Sequence, residues 1–207
     1  MPALGDLHTY ATMVRSFEGI GYSCTTFDRF SPDRPDLILR HDVDIDLGTA
    51  LAMARMESVH AWTATFFFLL KSETYDLTKN ADREILLEVA KLGHHIGLHF
   101  DRACYGPSVD IDVAVAQECE ALEQILERPI RVVAPHRPRA TCPEWLGWDH
   151  EPGGRLQAYH PRYFVAAAYV SDSAGRWAHG HPLDQPKISE GRGIQILTHP
   201  HLWGECP

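Results

Sequence analysis

Histidine and aspartate side chains follow several of the predicted strands, at the point where each strand ends. The chain holds 13 histidines. Four of them stand at such positions together with four aspartates: His41, His99, His136, His199, Asp42, Asp44, Asp101 and Asp172. Parallel sheets and α/β barrels place their active sites at this carboxyl edge. Because clustered imidazoles and carboxylates are expensive to hold together without a metal or a catalytic task, the pattern predicts such a site here.

Two aspartates lie two positions apart at the end of the first strong strand, in His41-Asp42-Val43-Asp44. If the strand continues through this segment, alternation places Asp42 and Asp44 on the same side. One carboxylate can then bind a cation while the other stays free as a base. Asp46 is better explained as the cap of the helix that follows.

The segment Gly93 to Asp101 contains His95 and His99, whose four-residue spacing is that of two metal ligands on one face of a helix. Gly97 and the apolar alternation favour a strand instead, on which His95 and His99 lie at different heights. We therefore predict His99 as the ligand, since it lies nearer the carboxyl edge, and His94 or His95 as a turn residue.

The last apolar strand delivers His199 to the same edge, and Pro200 ends the strand. A histidine that titrates near neutral pH suits a general acid. His201 is the weaker candidate because it lies outside the strand.

The elements that must position these residues follow from hydrophobic periodicity. Apolar stripes at helical spacing predict helices over 7–19, 47–59, 82–92 and 110–127. Short β-rich runs predict strands at 37–39, 62–70, 95–100, 130–133, 163–170 and 194–198. Apolar strands alternating with helices indicate a parallel sheet covered on both faces. We expect an α/β fold, a distorted or incomplete (β/α) barrel, with a doubly wound open sheet as the alternative. Residues 1–207 are expected to form one domain.

Composition narrows the class of protein. The 207 residues carry 19 Lys and Arg against 28 Asp and Glu, and this net charge of -9 argues against a nucleic-acid partner. Five cysteines without a Cys-x-x-Cys pair predict reduced thiols. The first residues lack the pattern of a signal peptide, and no apolar run could span a bilayer, so we expect a cytoplasmic protein without a membrane partner. The oligomeric state is not predicted.

The order of motifs resembles the polysaccharide deacetylase superfamily over about residues 37–203. The motifs are His41-Asp42-Val43-Asp44, Ala64-Thr65-Phe66-Phe67, Gly93-His94-His95-Ile96-Gly97-Leu98-His99-Phe100-Asp101, Pro135-His136-Arg137-Pro138, Ser171-Asp172-Ser173 and Leu197-Thr198-His199-Pro200. The resemblance implies a distorted (β/α) barrel that hydrolyses an N- or O-acyl group with the help of a metal.

Carried over by position, the resemblance implies roles for individual residues. Asp42 corresponds to the catalytic base, Asp44 and His99 to metal ligands, and His199 to the acid that protonates the leaving amine. Arg137 corresponds to the arginine that holds the base carboxylate. Asp172 stands where a residue orienting the acid is expected, and Trp177 is a candidate for lining the sugar pocket.

Two departures from the superfamily pattern concern the metal. Val43 separates two aspartates that are adjacent in the best-known members, and Ala103 stands where a second histidine ligand would fall. His136 is the first substitute as third ligand and Asp101 the second, and His95 is not excluded. If it is not a ligand, Asp101 is a candidate for contacting substrate.

The expected activity is metal-dependent removal of an acyl group, most simply N-acetyl, from an acetamido sugar or a sugar-bearing metabolite, either small or carrier-linked. We expect Zn, with Co, Ni or Mn as replacements, because mixed imidazole and carboxylate ligands do not choose sharply among these ions. Two alternatives stay open: hydrolysis of another C–N bond, such as a formyl group or a cyclic amide, and a catalytically silent carbohydrate-binding barrel.

Overall fold

Eight parallel strands form the centre of the molecule. The computed structural model describes residues 4–204, so Cys206 lies outside the described part. The strands are β1 (Ser23–Cys24), β2 (Asp36–Val43), β3 (Ala64–Leu69), β4 (His95–Phe100), β5 (Val132–Pro135), β6 (Leu156–Gln157), β7 (Ala168–Ser171) and β8 (Ile194–Thr198). They pair in the order β6-β5-β4-β3-β2-β8-β7, and β1 pairs with β2 outside this path.

This strand order identifies the sheet as an incomplete barrel. Read as a ring, the strands follow one another in chain order from β2 to β8, and β8 returns to pair with β2. The ring is open between β6 and β7, which lie at the two ends of the ladder. A doubly wound sheet would instead reverse its order at a switch point. The prediction of an incomplete (β/α) barrel is therefore confirmed.

Four long helices cover the outside of the sheet: α1 (Leu7–Gly19), α2 (Leu47–Val59), α3 (Asn80–Lys91) and α4 (Ile111–Leu126). Each lies within two residues of its predicted bounds. Asp46 caps α2 by accepting hydrogen bonds from the backbone N–H groups of Gly48 and Thr49, as expected. None of the helices in residues 4–204 is both long and apolar enough to cross a membrane.

The later half of the chain departs most from the prediction. The predicted strand 163–170 is wrong over its first half, since the short helix α6 (Pro161–Phe164) precedes β7. Pro161 occupies the first turn of α6, a position that tolerates its missing N–H. The two-residue strands β1 and β6 and the four-residue helices α5 (Pro138–Thr141) and α7 (Pro186–Ser189) were also missed. Elements this short carry no periodic signal.

Because side chains alternate along each strand, the sheet packs a hydrophobic core on each of its two faces. The outer core packs the sheet against the long helices and includes Leu37, Leu39 and Val43 of β2. The inner core fills the barrel with Phe27, Phe30, Ile38, Phe67, Val132, Ala134, Ala158, Tyr163 and Ala167. Arg40 and Asp42 share the inward parity of Ile38. Cys24, Cys104, Cys119 and Cys142 are free thiols in this structure, as expected.

Gly97 is required by the width of the barrel interior. A Cβ atom there would lie 2.5 Å from the Phe67 ring and 3.0 Å from the Val132 carbonyl oxygen. We expect Gly97→Ala to lower the free energy of unfolding by about 1–3 kcal/mol, the usual cost of overpacking. Urea denaturation measures this change. Gly106→Ala is the control, because nothing lies within 4 Å of the added atom, and an equal loss in both variants would contradict the packing argument.

Candidate active site

Three potential metal ligands converge at the carboxyl edge of the barrel. Asp44 follows β2, His99 lies near the end of β4, and His136 follows β5. One donor atom from each of the three lies within 4.8 Å of the others. His99 Nε2 lies 3.2 Å from Asp44 Oδ1, and His136 Nε2 lies 4.0 Å from Asp44 Oδ2. The structure therefore brings together the two predicted ligands and the first substitute for the third.

Both histidines are held in the tautomer that a metal ligand needs. His99 Nδ1 donates a hydrogen bond of 2.9 Å to the Ala134 carbonyl oxygen. His136 Nδ1 donates one of 3.0 Å to Asp101 Oδ2. Carbonyl and carboxylate oxygens only accept, so the proton of a neutral ring sits on Nδ1 and Nε2 keeps its lone pair. Such partners are typical of metal-bound histidine.

Asp44 provides the test of whether a cation fits. Its Oδ1 atom is buried and makes no hydrogen bond to any described residue. Burial raises the pKa of Asp44, and positive charge on His99, His199 and His136 would lower it well below its ordinary range. Oδ1 lies 3.2 Å from His99 Nε2. When His99 and His136 are neutral, a bound cation would supply the positive charge that this buried carboxylate needs. One carboxylate and two imidazoles suit zinc and similar divalent ions.

Asp101 lies behind the cluster rather than in it. One of its oxygens holds His136, and the other accepts a hydrogen bond from the Ala103 N–H. Ala103, which stands where the superfamily pattern has a histidine, lies in a short 3₁₀ turn (Arg102–Cys104) that Asp101 caps. In this arrangement Asp101 orients His136, so the geometry favours His136 over Asp101 as third ligand. His95 is exposed at the other end of β4.

Asp42 is buried on the inner face and is paired with Arg40. Arg40 Nε and one terminal nitrogen each donate a 2.8 Å hydrogen bond to a different Asp42 oxygen. Burial would raise the pKa of Asp42, but the charge and the hydrogen bonds of Arg40 lower it below its ordinary value. His99 Nε2 lies 3.6 Å from Asp42 Oδ2, so the carboxylate borders the cluster of Asp44, His99 and His136.

The expectation that Arg137 holds Asp42 is corrected by these contacts. Arg137 is exposed, with 61% of its side chain accessible, and its ion pair is with Asp101 at 3.3 Å. Arg40 was missed at the sequence level. A signal was present, because a charged residue in an apolar strand two positions before Asp42 shares its face and must be paired when buried.

Arg40 is fixed on all sides within the barrel. Its guanidinium carbon lies 4.6 Å from the centre of the Tyr159 ring and 5.3 Å from that of Phe67. Gln195 accepts a further hydrogen bond of 3.4 Å. These contacts orient the guanidinium group toward Asp42 and so fix the carboxylate.

His199 borders Asp44 and is paired with Asp172. His199 Nδ1 donates a 2.6 Å hydrogen bond to Asp172 Oδ1, and its Nε2 lies 3.8 Å from Asp44 Oδ2. Burial would lower the pKa of His199, but the hydrogen bond and charge of Asp172, with Asp42 and Asp44, raise it to about 9. The ring can therefore carry a proton at neutral pH.

Asp172 is in turn held by two further groups. It is fully buried and accepts hydrogen bonds from the His199 backbone N–H at 3.0 Å and from Trp203 Nε1 at 2.8 Å. Trp177 is half-buried, with its ring 6.0 Å from that of Trp203. Trp177 thus lies beside Trp203, which bonds to the Asp172 that holds His199. Its contact with a sugar stays a prediction.

His41 is not part of this site, which corrects its placement with the rim residues. It precedes Asp42 on β2 and therefore faces the outer core, where Thr198 and Glu57 contact its ring. His94, expected in a turn, is also buried outside the barrel, with Nε2 bonded to the Ala54 carbonyl oxygen.

Comparisons with known proteins give weak structural similarities. No protein-family model and no curated protein matches the sequence. The fold is similar to that of a family 4 carbohydrate esterase from Bacillus anthracis, with a TM-score of 0.49 and 14% identity over 93% of this chain and 77% of that one. A Streptococcus pyogenes deacetylase in complex with acetate has a TM-score of 0.48 and 12% identity, and the match covers 63% of this chain and 62% of that one. A family 4 carbohydrate esterase pseudoenzyme from Bacillus anthracis has a TM-score of 0.47 and 14% identity, and the match covers 82% of this chain and 56% of that one.

Metal binding tests the ligand set. We expect the protein to bind about one zinc ion per chain, and a double Asp44→Ala/His99→Ala variant or His136→Ala to lose it. Asp101→Asn should weaken binding by about 10- to 100-fold, the usual effect of removing a partner of a ligand. Elemental analysis after dialysis and calorimetric titration measure both effects. His95→Ala is the matched histidine control, and wild-type affinity in His136→Ala would remove His136 from the set.

The buried ion pair gives a separate prediction. Arg40→Met leaves Asp42 buried without its partner and should lower the free energy of unfolding by about 3–5 kcal/mol. Arg137→Met removes an exposed arginine and should change it by no more than about 0.5 kcal/mol. Guanidinium denaturation of the two variants compares them directly. Similar losses would mean that Arg40 is not the principal partner of Asp42.

Proposed function

We propose that the protein is a metal-dependent hydrolase that removes an acyl group, most simply N-acetyl, from an acetamido sugar or a sugar-bearing metabolite. One observation carries the proposal. The Asp44, His99 and His136 donors lie together, Asp42 lies 3.6 Å from His99, and His199, paired with Asp172, lies 3.8 Å from Asp44. A carboxylate base and an imidazolium acid flanking a cation site are the groups that amide hydrolysis needs.

Asp44, His99 and His136 would hold the ion. A divalent cation bound there supplies Lewis acidity, which polarises an acyl oxygen and acidifies a water molecule. Asp42 lies next to His99 and is kept ionised by Arg40. It would accept a proton from the attacking water as the oxygen of that water bonds to the acyl carbon. The Arg40 contacts leave the carboxylate little freedom, which favours a fixed direction of proton transfer.

His199 would complete the reaction. With Nδ1 bonded to Asp172, its Nε2 faces Asp44 and can donate a proton to the departing nitrogen as the C–N bond breaks. One water molecule and one amide give one carboxylic acid and one amine, so no further reactant is needed. Asp172 keeps the ring orientation constant while its charge stabilises the protonated form.

The proposed substrate is small or carrier-linked rather than a nucleic acid. The net charge of -9 supports this exclusion, because phosphate polymers would be repelled. Trp177 is proposed to contact the sugar, since indole rings stack on apolar sugar faces. Zinc is the proposed native ion, with cobalt, nickel and manganese as working replacements. We further propose that the protein acts in the cytoplasm.

A panel of N-acetyl, N-formyl and cyclic-amide compounds, assayed with zinc-loaded protein, distinguishes the candidate reactions. Release of acetate from acetamido sugars is the expected result. Turnover of only the formyl or cyclic compounds would assign another C–N bond. Binding of sugars without turnover of any compound would favour a silent carbohydrate-binding barrel.

Substitution of Asp42 tests its proposed role as the base. Asp42→Asn retains the size of the side chain but removes the proton acceptor, so we expect zinc to bind as in the wild type and turnover to fall by at least about 100-fold. Acetate release and zinc content are measured on the same preparation. Loss of zinc in this variant would show that Asp42 acts as a ligand, and retained turnover would contradict its role as base.

A further inference from the structure

A chain of three buried polar side chains lies behind the site, on the outer face of the sheet. Glu57 of α2, His41 of β2 and Thr198 of β8 are each 0% exposed. His41 Nε2 lies 2.9 Å from Glu57 Oε1, and His41 Nδ1 lies 2.6 Å from Thr198 Oγ1. The proposed mechanism uses none of the three.

The direction of these hydrogen bonds follows from the chemistry of the groups. A carboxylate oxygen accepts hydrogen bonds, so His41 Nε2 carries the proton and donates it to Glu57. His41 Nδ1 then accepts from the Thr198 hydroxyl group. Tyr10 donates a second hydrogen bond to the same Glu57 oxygen at 2.6 Å. The chain of bonds thus runs from β8 through β2 to α2.

A hydroxyl group, an imidazole and a carboxylate in this order are also the parts of a nucleophilic catalytic triad. Burial excludes that role here, because no substrate can reach a Thr198 hydroxyl group with no exposed surface. The Phe66 ring, centred 4.4 Å from that of His41, closes the site further. The three side chains must therefore act on the structure around them.

Their positions in the chain indicate what they act on. His41 and Thr198 are register partners in the β2–β8 ladder. Each directly precedes a proposed proton-transfer residue, His41 before Asp42 and Thr198 before His199. Because side chains alternate, fixing the first pair on the outer face fixes the second pair on the inner face.

Glu57 extends the connection to the loop that carries Asp44. This loop, residues 44–46, joins β2 to α2. His41 precedes it on the strand and Glu57 lies near the end of the helix, so the hydrogen bond between them ties the two elements that flank the loop.

We propose that Glu57, His41 and Thr198 are positioning residues that set Asp42 relative to His199. The proposal rests on the proposed hydrolase function, because only proton transfer at two fixed points requires such spacing. A displacement of about 1 Å at a reacting group can cost about 100-fold in rate.

Thr198→Val tests the proposal because valine keeps the shape and removes only the hydroxyl donor. We expect kcat on the substrate identified above to fall by about 10- to 100-fold, with KM and zinc affinity within about twofold of wild type. Thr198→Ser restores the donor and should recover kcat to within about threefold.

Tyr22→Phe is the matched control. It removes a partly buried hydrogen bond of 2.6 Å from the Tyr22 phenol to the Arg192 carbonyl oxygen, which lies before β8 and so far from the carboxyl edge. It should lower the melting temperature by about as much as Thr198→Val but leave kcat unchanged. Wild-type kcat in Thr198→Val, or failure of serine to rescue it, would overturn the proposal.

The outcome also separates the two proposals. If zinc-loaded wild type turns over none of the compounds, the hydrolase proposal fails, and the positioning proposal is then tested by the imidazole NMR signals of His199. These should shift in Thr198→Val and stay unchanged in Tyr22→Phe. Unchanged His199 signals in both variants would refute the positioning role.

Discussion

The alternation of side chains along β2 is the constraint on which the site depends. This strand lies in the middle of the ladder, between β3 and β8. Its inward residues include Arg40 and Asp42, and its outward residues include His41 and Val43. A shift of one residue in its pairing would move the ion pair into the outer core and His41 into the barrel. Each of these two moves would leave buried polar groups without partners, so the pairing register of β2 is strongly specified.

The Arg40–Asp42 pair is better explained by the proposed chemistry than by stability. Transferring both charges from water to the barrel interior costs several kcal/mol each, and an apolar pair of similar volume is often as stable. The pair is nevertheless bonded through two 2.8 Å hydrogen bonds and enclosed by aromatic rings. This arrangement fits the proposed function, in which one carboxylate is held ionised, buried and immobile beside the proposed cation site.

The sequence carried enough information for much of this arrangement, and the reasons are physical. The four long helices are amphipathic, so their period locates them. Asp44, His99 and His199 lie at the ends of apolar parallel strands, and that position alone places them on one edge. His41 was placed with them wrongly because neighbouring residues on a strand face opposite sides. The partner of Asp42 was assigned to Arg137 by position in a motif, and position does not determine how far a side chain reaches.

The choice of His136 as the proposed third ligand required the three-dimensional structure, because it depends on how β4 and β5 pair. His99 and Ala134 are register partners, and the Ala134 carbonyl oxygen holds His99 Nδ1. One step further along, the His136 N–H bonds to the Phe100 carbonyl oxygen, which places His136 beside Asp101. Each strand thus supplies the group that orients the histidine of the other. A slip in this short ladder would release both rings at once, so two ligands and their tautomers depend on the same few backbone hydrogen bonds.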